Sequence, residues 1–459
     1  MIRFIFLCCP THWSTRMISA AFLLIATATF TGQLAHAIDI QPVVSPGGIK
    51  AWMVRDTSVP MLSIEFSFRG GRTYDPTEKA GLSSLLSGLL DEGAGPLDSK
   101  AFQAELQNRS IKMNFSAGRD TFRGSLKVLN KHRERAIKLL NLALTKPRFN
   151  TEPLERMRQQ SLISLERRST NPNYIAGRTW ATAVFGDHPY AMPSSGTPAT
   201  IAGITQDDLL EYVRERFARN LLIIGVTGDI TAAELAPLLD QAFGSLPKYK
   251  ALPTIADAAP RLTGDTYVVE LDVPQSSIIF GQPGLRRDDA DWYTGLVMNY
   301  VLGGGGFSSR LYSEVREKRG LAYSIRTSLH PMRLSALISG GAGTKNANVA
   351  ESLQIIRAEW DRMRTGGVTG DELSRAKSYL TGSFPLRLSS TDRIARMLVS
   401  IQYHNLGIEY IDKRANYINV VSAESIAKLA RRLLDTGKLT FVIVGKPAAV
   451  TPTAPAPQI

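Results

Sequence analysis

The 459-residue chain has only two cysteines, Cys8 and Cys9, side by side near its start. Two adjacent thiols cannot build a disulfide framework or a cysteine-ligated metal site. Histidine is scarce too: six residues, His12, His36, His132, His188, His330 and His404, none paired at helical spacing with another. No Gly-Lys-Ser/Thr phosphate loop follows any glycine run. The apolar run Ile18 to Phe30 falls short of the roughly 20 residues that a spanning helix needs. With 44% hydrophobic and 21% charged residues, the composition is that of an ordinary globular protein. Disordered, collagenous, coiled-coil and multispan membrane chains are excluded. The length exceeds one ordinary domain of about 100–200 residues.

What the N-terminus does contain is an address. Arg3 and Arg16 precede Ile18 to Phe30, and Gly32, Gln33 and the triplet Ala35-His36-Ala37 follow. A basic start, an apolar centre and a small-residue end describe a secretory signal peptide over 1–37, with translation starting at Met1 or Met17. Leu7 before Cys8 argues against a lipoprotein. Cleavage after Ala37 predicts an exported chain, periplasmic or secreted, with no stable membrane insertion afterwards. It removes both cysteines, two histidines and two arginines but no acid, so the net charge falls from +13 to +11. Such a surface can attract acidic peptides or a partner, whereas nucleic acid is not expected for an exported protein.

The remainder is duplicated. Thr205-Gln-Asp-Asp-Leu209 opens an amphipathic stretch ending near Phe217, then Leu221 to Val226 and Gly228. Ser422-Ala-Glu-Ser-Ile426 opens its twin, ending near Leu434, then Leu439 to Val444 and Gly445. Each reads as a capped helix, a short turn and a buried strand, at a constant offset of 217. Glu155-Arg-Met-Arg158 and Glu372-Leu-Ser-Arg375 mark a second repeated helix start. Strands are predicted at Leu62 to Phe68, Tyr267 to Val273 and Ala336 to Ser339 with its flanks. The predicted architecture is α+β, with one domain over 38–248, a linker over 249–262, a second domain over 263–446 and a disordered Pro/Ala-rich tail over 447–459.

Several motifs fall in a recognisable order: Phe66-Ser-Phe-Arg-Gly-Gly-Arg-Thr-Tyr-Asp75, Lys79-Ala-Gly-Leu82, Phe185-Gly-Asp-His-Pro-Tyr190, Gly196-Thr-Pro198, Leu302-Gly-Gly-Gly-Gly-Phe-Ser-Ser-Arg-Leu311 and Arg316-Glu-Lys-Arg-Gly-Leu-Ala-Tyr323. In these the chain resembles the pitrilysin/insulinase zinc peptidases over nearly its whole length past residue 37. The resemblance implies two homologous α+β domains of that LuxS/metallohydrolase-like type, with paired chains enclosing a chamber. It also implies a His-x-x-Glu-His zinc motif on the helix after the first turn, in which two histidines bind the metal and the glutamate activates water. Here Gly81 to Leu90 fills that helix, and Ser84, Ser87 and Gly88 stand at the three motif positions. The distal ligand position falls near Ile163 and Ser164, with Glu166 close by. One carboxylate cannot hold a zinc ion that needs three protein ligands, so no metal or cofactor is expected in this chain. Ser84 and Ser87 have no neighbouring base that would make either a nucleophile, and His188 fits loop positioning better than ligation.

The second half keeps what the first has lost. By resemblance, the loop Gly303, Gly304, Gly305, Gly306 and Phe307 lies against substrate, and Arg316 and Tyr323 form the pair that binds the substrate carbonyl and its developing oxyanion. In sequence terms alone, Arg316, Lys318 and Arg319 are equally a basic helix end, stopped by Gly320, and Tyr323 a core aromatic. In the two-chain branch of the family one subunit carries zinc, and a partner without the motif supplies the arginine and tyrosine. The chain resembles that non-catalytic subunit, which would bind peptide beside a zinc-bearing homologous subunit. The alternative is a non-enzymatic peptide-binding or assembly scaffold, since core subunits of respiratory complexes resemble this family as well.

Overall fold

The computed structural model describes residues 38–459, so the predicted signal peptide, Cys8, Cys9, His12 and His36 lie outside the described residues. Residues 39–459 form one compact unit. It contains two sheets. The first joins β1 (Ile40–Val44), β2 (Lys50–Arg55), β3 (Met61–Arg69), β4 (Lys112–Ala117), β5 (Thr121–Leu129) and β6 (Leu222–Gly228) in the order β1-β2-β6-β3-β5-β4. The second joins β7 (Thr266–Glu270), β8 (Gln275–Pro283), β9 (Ala322–Pro331), β10 (Ala336–Lys345) and β11 (Thr440–Gly445) in the order β7-β11-β8-β10-β9.

With β1 set aside, the two orders are one topology. The last strand of each half enters between the first two, parallel to the first (β6 with β2, β11 with β7) and antiparallel to the second. The 217-residue offset survives in the backbone itself. Thr205 and Ser422 both close capping boxes on their helices. Gly228 and Gly445 both sit at φ +153°, where a side chain is strained.

Each sheet is covered on both faces, and the two halves exchange one of the covers. The first core gathers Leu62, Ile64, Phe66 and Phe68 of β3 with the helices of the N-terminal half. The opposite face of β3 carries Ser63 and Glu65 and is covered by the helix Thr391–Tyr403, which comes from the C-terminal half. Ser63 shares a hydrogen bond with Thr391 (2.8 Å), and Arg396 pairs with Glu65 (3.0 Å). Reciprocally, the helix Pro172–Phe185 lies on the second sheet, where Val442 and Val444 of β11 pack with Trp180, Val184 and Phe185. Ser277 there donates to Asn173 (2.7 Å). These crossed helices are equivalent in the repeat, so the halves are interlocked by matching parts. The chain segment 249–262 runs between them without regular structure, pinned by Ala258 N–H to the Leu334 carbonyl (2.7 Å) and Arg261 N–H to the Val184 carbonyl (2.8 Å).

Three local expectations need correction. The helix expected to begin near Glu155 starts at Thr151, and its twin starts at Gly370, just ahead of Glu372, after the Thr369 cap. The helix expected over Gly81 to Leu90 is only Leu82–Ser87. The tail beyond residue 446 is not free: Thr453 N–H donates to the Thr266 carbonyl (3.0 Å), its hydroxyl donates to Asp265 (3.0 Å) and accepts from Thr266 N–H (2.9 Å), and Val450 packs on the second core. The repeated prolines prevent a folded element of its own there, but a proline-free position can still pair along a sheet edge. Among the described residues no helix is long and apolar enough to cross a membrane.

Candidate functional site

The helix Leu82–Ser87 has no capping side chain on Gly81, and its start is held from a distance. Asp75, buried, accepts hydrogen bonds from the Ser83 backbone N–H (3.2 Å) and hydroxyl (2.9 Å). The three motif positions follow. The Ser84 hydroxyl donates to the Ser194 carbonyl (2.7 Å), and the Ser87 hydroxyl to the Ser84 carbonyl (2.8 Å). Gly88 ends the helix, and a Cβ there would stand 3.1 Å from the sulfur and terminal methyl of Met157. Both hydroxyls are spent on carbonyls, and Met157 fills the space where the second histidine of the motif would project. Glu166 is exposed. Among the described residues no group of three His, Cys, Asp or Glu could hold a metal ion. These positions do not fit zinc, and the two serines serve packing.

The four histidines past residue 37 have structural surroundings. His188 accepts from Tyr190 N–H through Nδ1 (3.1 Å) and shares Nε2 with the Ala256 carbonyl (3.1 Å), as a loop-positioning residue should. The Tyr190 hydroxyl then donates to Asp120 (2.7 Å) and accepts from Leu334 N–H (3.0 Å), joining the two halves. His404 is half-buried, and burial, aided by Arg287, Arg123 and Arg69, pushes its pKa down to about 4.

Burial also pushes the Asp75 carboxyl up, from an ordinary 3.8 to about 7, against the Ser83 hydrogen bonds. A raised carboxyl pKa means that the folded chain binds more protons than the unfolded one between these values. Its contribution is complete below pH 3.8 and lost as pH rises through about 7, and amounts to about 4 kcal/mol at most. Asp75→Asn keeps an acceptor for Ser83 and cannot ionise. Its stability relative to the parent should therefore rise between pH 5 and pH 8, as read by denaturant midpoints. A constant difference across that range would show that Asp75 is not the titrating group.

In the second half the structure brings the predicted residues together. Trp292–Asn299 is α-helical, Tyr300–Gly304 is a π-helical turn, Gly306–Ser308 is 3-10, and Arg310–Tyr312 runs into a second π-helical turn, Ser313–Glu317. Gly320 N–H closes on the Arg316 carbonyl (2.9 Å) at φ +62°, and β9 begins two residues later. The Arg316 guanidinium carbon lies 5.0 Å from the Tyr323 ring centre, 4.9 Å from Tyr312 and 5.9 Å from Phe307. Arg316 also donates to the Tyr312 hydroxyl. Tyr312 is buried, while Phe307 and Tyr323 are 74% and 81% exposed.

The three cations of the basic helix end are held differently. Lys318 and Arg319 both pair with Glu314 (2.5 and 2.6 Å). Arg316 has no carboxylate partner among the described residues; it is held between aromatic rings, with two of them open to solvent. Cation–π contacts of this kind hold a guanidinium in place and leave its N–H donors for a ligand. Two π-helical turns within 18 residues point the same way, because such turns collect at functional sites.

The glycine run is closely packed. Cβ atoms added at Gly303, Gly304 and Gly305 would strike Thr327, Asn299 and Tyr300. Their close approach is to the protein's own backbone and side chains. Only Gly306, at φ +55° with open space around it, leaves a free backbone surface. Sequence reading also missed Tyr312. The signal was there, since Tyr312 and Arg316 are four residues apart and share a helix face.

Residues 203–380 match the family description "Peptidase M16 inactive domain". The chain is similar to peptidase M16 proteins. A relative in Helicobacter pylori named "Non-peptidase homolog YmxG" is 28% identical over 389 residues, covering 84% of this chain and 89% of the relative. An uncharacterized zinc protease of Streptomyces coelicolor is 29% identical over 356 residues, covering 75% and 76%. The crystal structure of a peptidase M16 inactive domain from Pseudomonas fluorescens superposes with a TM-score of 0.84 at 27% identity, covering 90% of this chain and all of the other. The likeness is to peptidase-like proteins described as inactive or non-peptidase, and Ser84, Ser87 and Gly88 stand at this chain's motif positions.

Proposed function

We propose that this chain is the non-catalytic subunit of an exported, heteromeric zinc endopeptidase. It would bind peptide and supply Arg316 and Tyr323 to a zinc site carried by a homologous His-x-x-Glu-His subunit. The observation that carries this reading is Arg316 itself: a cation with no acidic partner, fixed by three aromatic rings at an exposed corner. A guanidinium and a phenol aimed at one place are the donors that a tetrahedral oxyanion needs, and they act because they are fixed before the charge develops. Phe307 and the open backbone at Gly306 are the adjoining surface for the peptide chain. Zinc belongs to the partner in this reading, and no step runs through a metal in this chain.

The rival is a scaffold that captures peptides or assembles a complex without hydrolysis, favoured by the name of the Helicobacter relative. A scaffold has no need of an unpaired, preorganised arginine. Metal analysis tests the absence of a site here. The purified chain, dialysed after exposure to zinc, should retain only substoichiometric metal, and one tightly held zinc per chain would overturn the reading.

A further inference from the structure

A cavity of about 320 Å³ lies behind the degenerate helix, among the Arg72–Asp75 turn, the β4–β5 turn, the helix Pro172–Phe185 and the loop before Ser194. Its wall carries Arg72, Arg119 and Arg178, and none of the three has a carboxylate within ion-pair distance among the described residues. Each is fixed on one side: Arg72 donates to the Ala117 carbonyl (3.0 Å), Arg178 to the Ala191 carbonyl (2.6 Å), and Arg119 lies 5.1 Å over the Tyr190 ring. Arg119 also donates to the Met332 sulfur, and no other acceptor takes a donor of these three forks among the described residues.

Asp75 is the one acid on the wall. Both hydrogen bonds from Ser83 go to Oδ2, and the buried Oδ1 has no partner. Burial and the neighbouring Arg119 push the Arg72 pKa down, only partly opposed by Asp75 and Asp120. Arg72 and Arg178 are half-buried and Arg119 exposed, so an anion can enter between them and gain charge-assisted hydrogen bonds from groups already held in place.

We infer that this cavity is a carboxylate-binding site, in which the arginines grip both oxygens of the ligand. Planar guanidinium forks match a planar carboxylate edge to edge. The apolar part of the wall, Ala80, Ala181, Met192 and Pro193, suits a small apolar group attached to that carboxylate. Two sources share this chemistry: the C-terminus of a peptide and a free small carboxylic acid. The inference concerns this chain alone and needs no partner subunit.

Titration calorimetry on the full chain tests it, using an alanine-rich peptide with a free C-terminus, the same peptide amidated, acetate and inorganic phosphate. The free-acid peptide should bind and the amide should bind about tenfold or more weaker. Acetate that displaces the peptide completely at millimolar levels assigns the site to small carboxylates; acetate that competes only feebly assigns it to peptide ends. Arg119→Gln, at an exposed position that should tolerate the change, should weaken the acid about tenfold while its melting temperature stays at the parent value. Arg178→Gln is the second variant, should Arg119→Gln melt early. Equal binding of acid and amide, binding of phosphate without the acid peptide, or full binding by both folded variants would each overturn the assignment.

Discussion

Arg316→Ala in this chain should lower kcat of the mixed peptidase by about 10²–10³, the loss seen when one preorganised oxyanion donor is removed. The effect falls on kcat because the donors match the oxyanion better than the ground-state carbonyl. The chain itself should hardly change. The lost contacts are cation–π contacts at a partly open corner, worth about 0.5–1 kcal/mol each, and no buried acid is left unpaired, since Lys318 and Arg319 keep Glu314. Tyr323→Phe keeps the ring under the guanidinium and removes only the phenol, so its loss should be smaller, about tenfold. A variant pair in which stability falls and kcat does not would make the cluster structural.

Trp360→Ala should cost about 3–5 kcal/mol, the largest stability loss of any substitution argued from this fold. Trp360 is fully buried on the helix Val349–Gly366, packed edge-on against Phe280 with ring centres 6.0 Å apart. Its Nε1–H donates to Gln282 Oε1 (2.7 Å) in the middle of the second sheet, and that oxygen also accepts from Asp435 N–H (3.0 Å). Truncation therefore opens a large cavity and removes a buried donor at once. The second core also carries the strand before the arginine corner, so the variant should lose partner binding together with its urea midpoint. A midpoint within about 1 kcal/mol of the parent would mean that the core collapses around the gap.

What could be read from the sequence was local. Capping at Thr205 and Ser422 acts within three residues, and the buried strands after them announce themselves by composition, so the 217-residue repeat was legible, while strands such as β4, β5 and β8 were not. The crossed helices were not. An amphipathic pattern says that a helix buries a face, but not which sheet receives it, and the helices Pro172–Phe185 and Thr391–Tyr403 each cover the sheet of the other half. The site divides in the same way. Ser84, Ser87 and Gly88 are single positions within a motif, and their loss is plain in one dimension. Arg316, Tyr312, Phe307 and Tyr323 meet because two turns are π-helical, and the cavity arginines meet because four separate segments converge. Neither follows from spacing alone. The glycine run misleads for the same reason, since its glycines answer to Thr327 and Asn299, which sequence does not place beside it.

If this chain lends half of an active site to another subunit, hydrolysis requires both chains. Peptide hydrolysis should be followed for the purified chain alone, for a homologous His-x-x-Glu-His chain alone, and for their one-to-one mixture, each with and without a chelator. The prediction is no activity from this chain, little from the other, strong activity from the mixture, and its loss on chelation. Hydrolysis by this chain alone that survives chelation, or a mixture no faster than the zinc-bearing chain by itself, would contradict it.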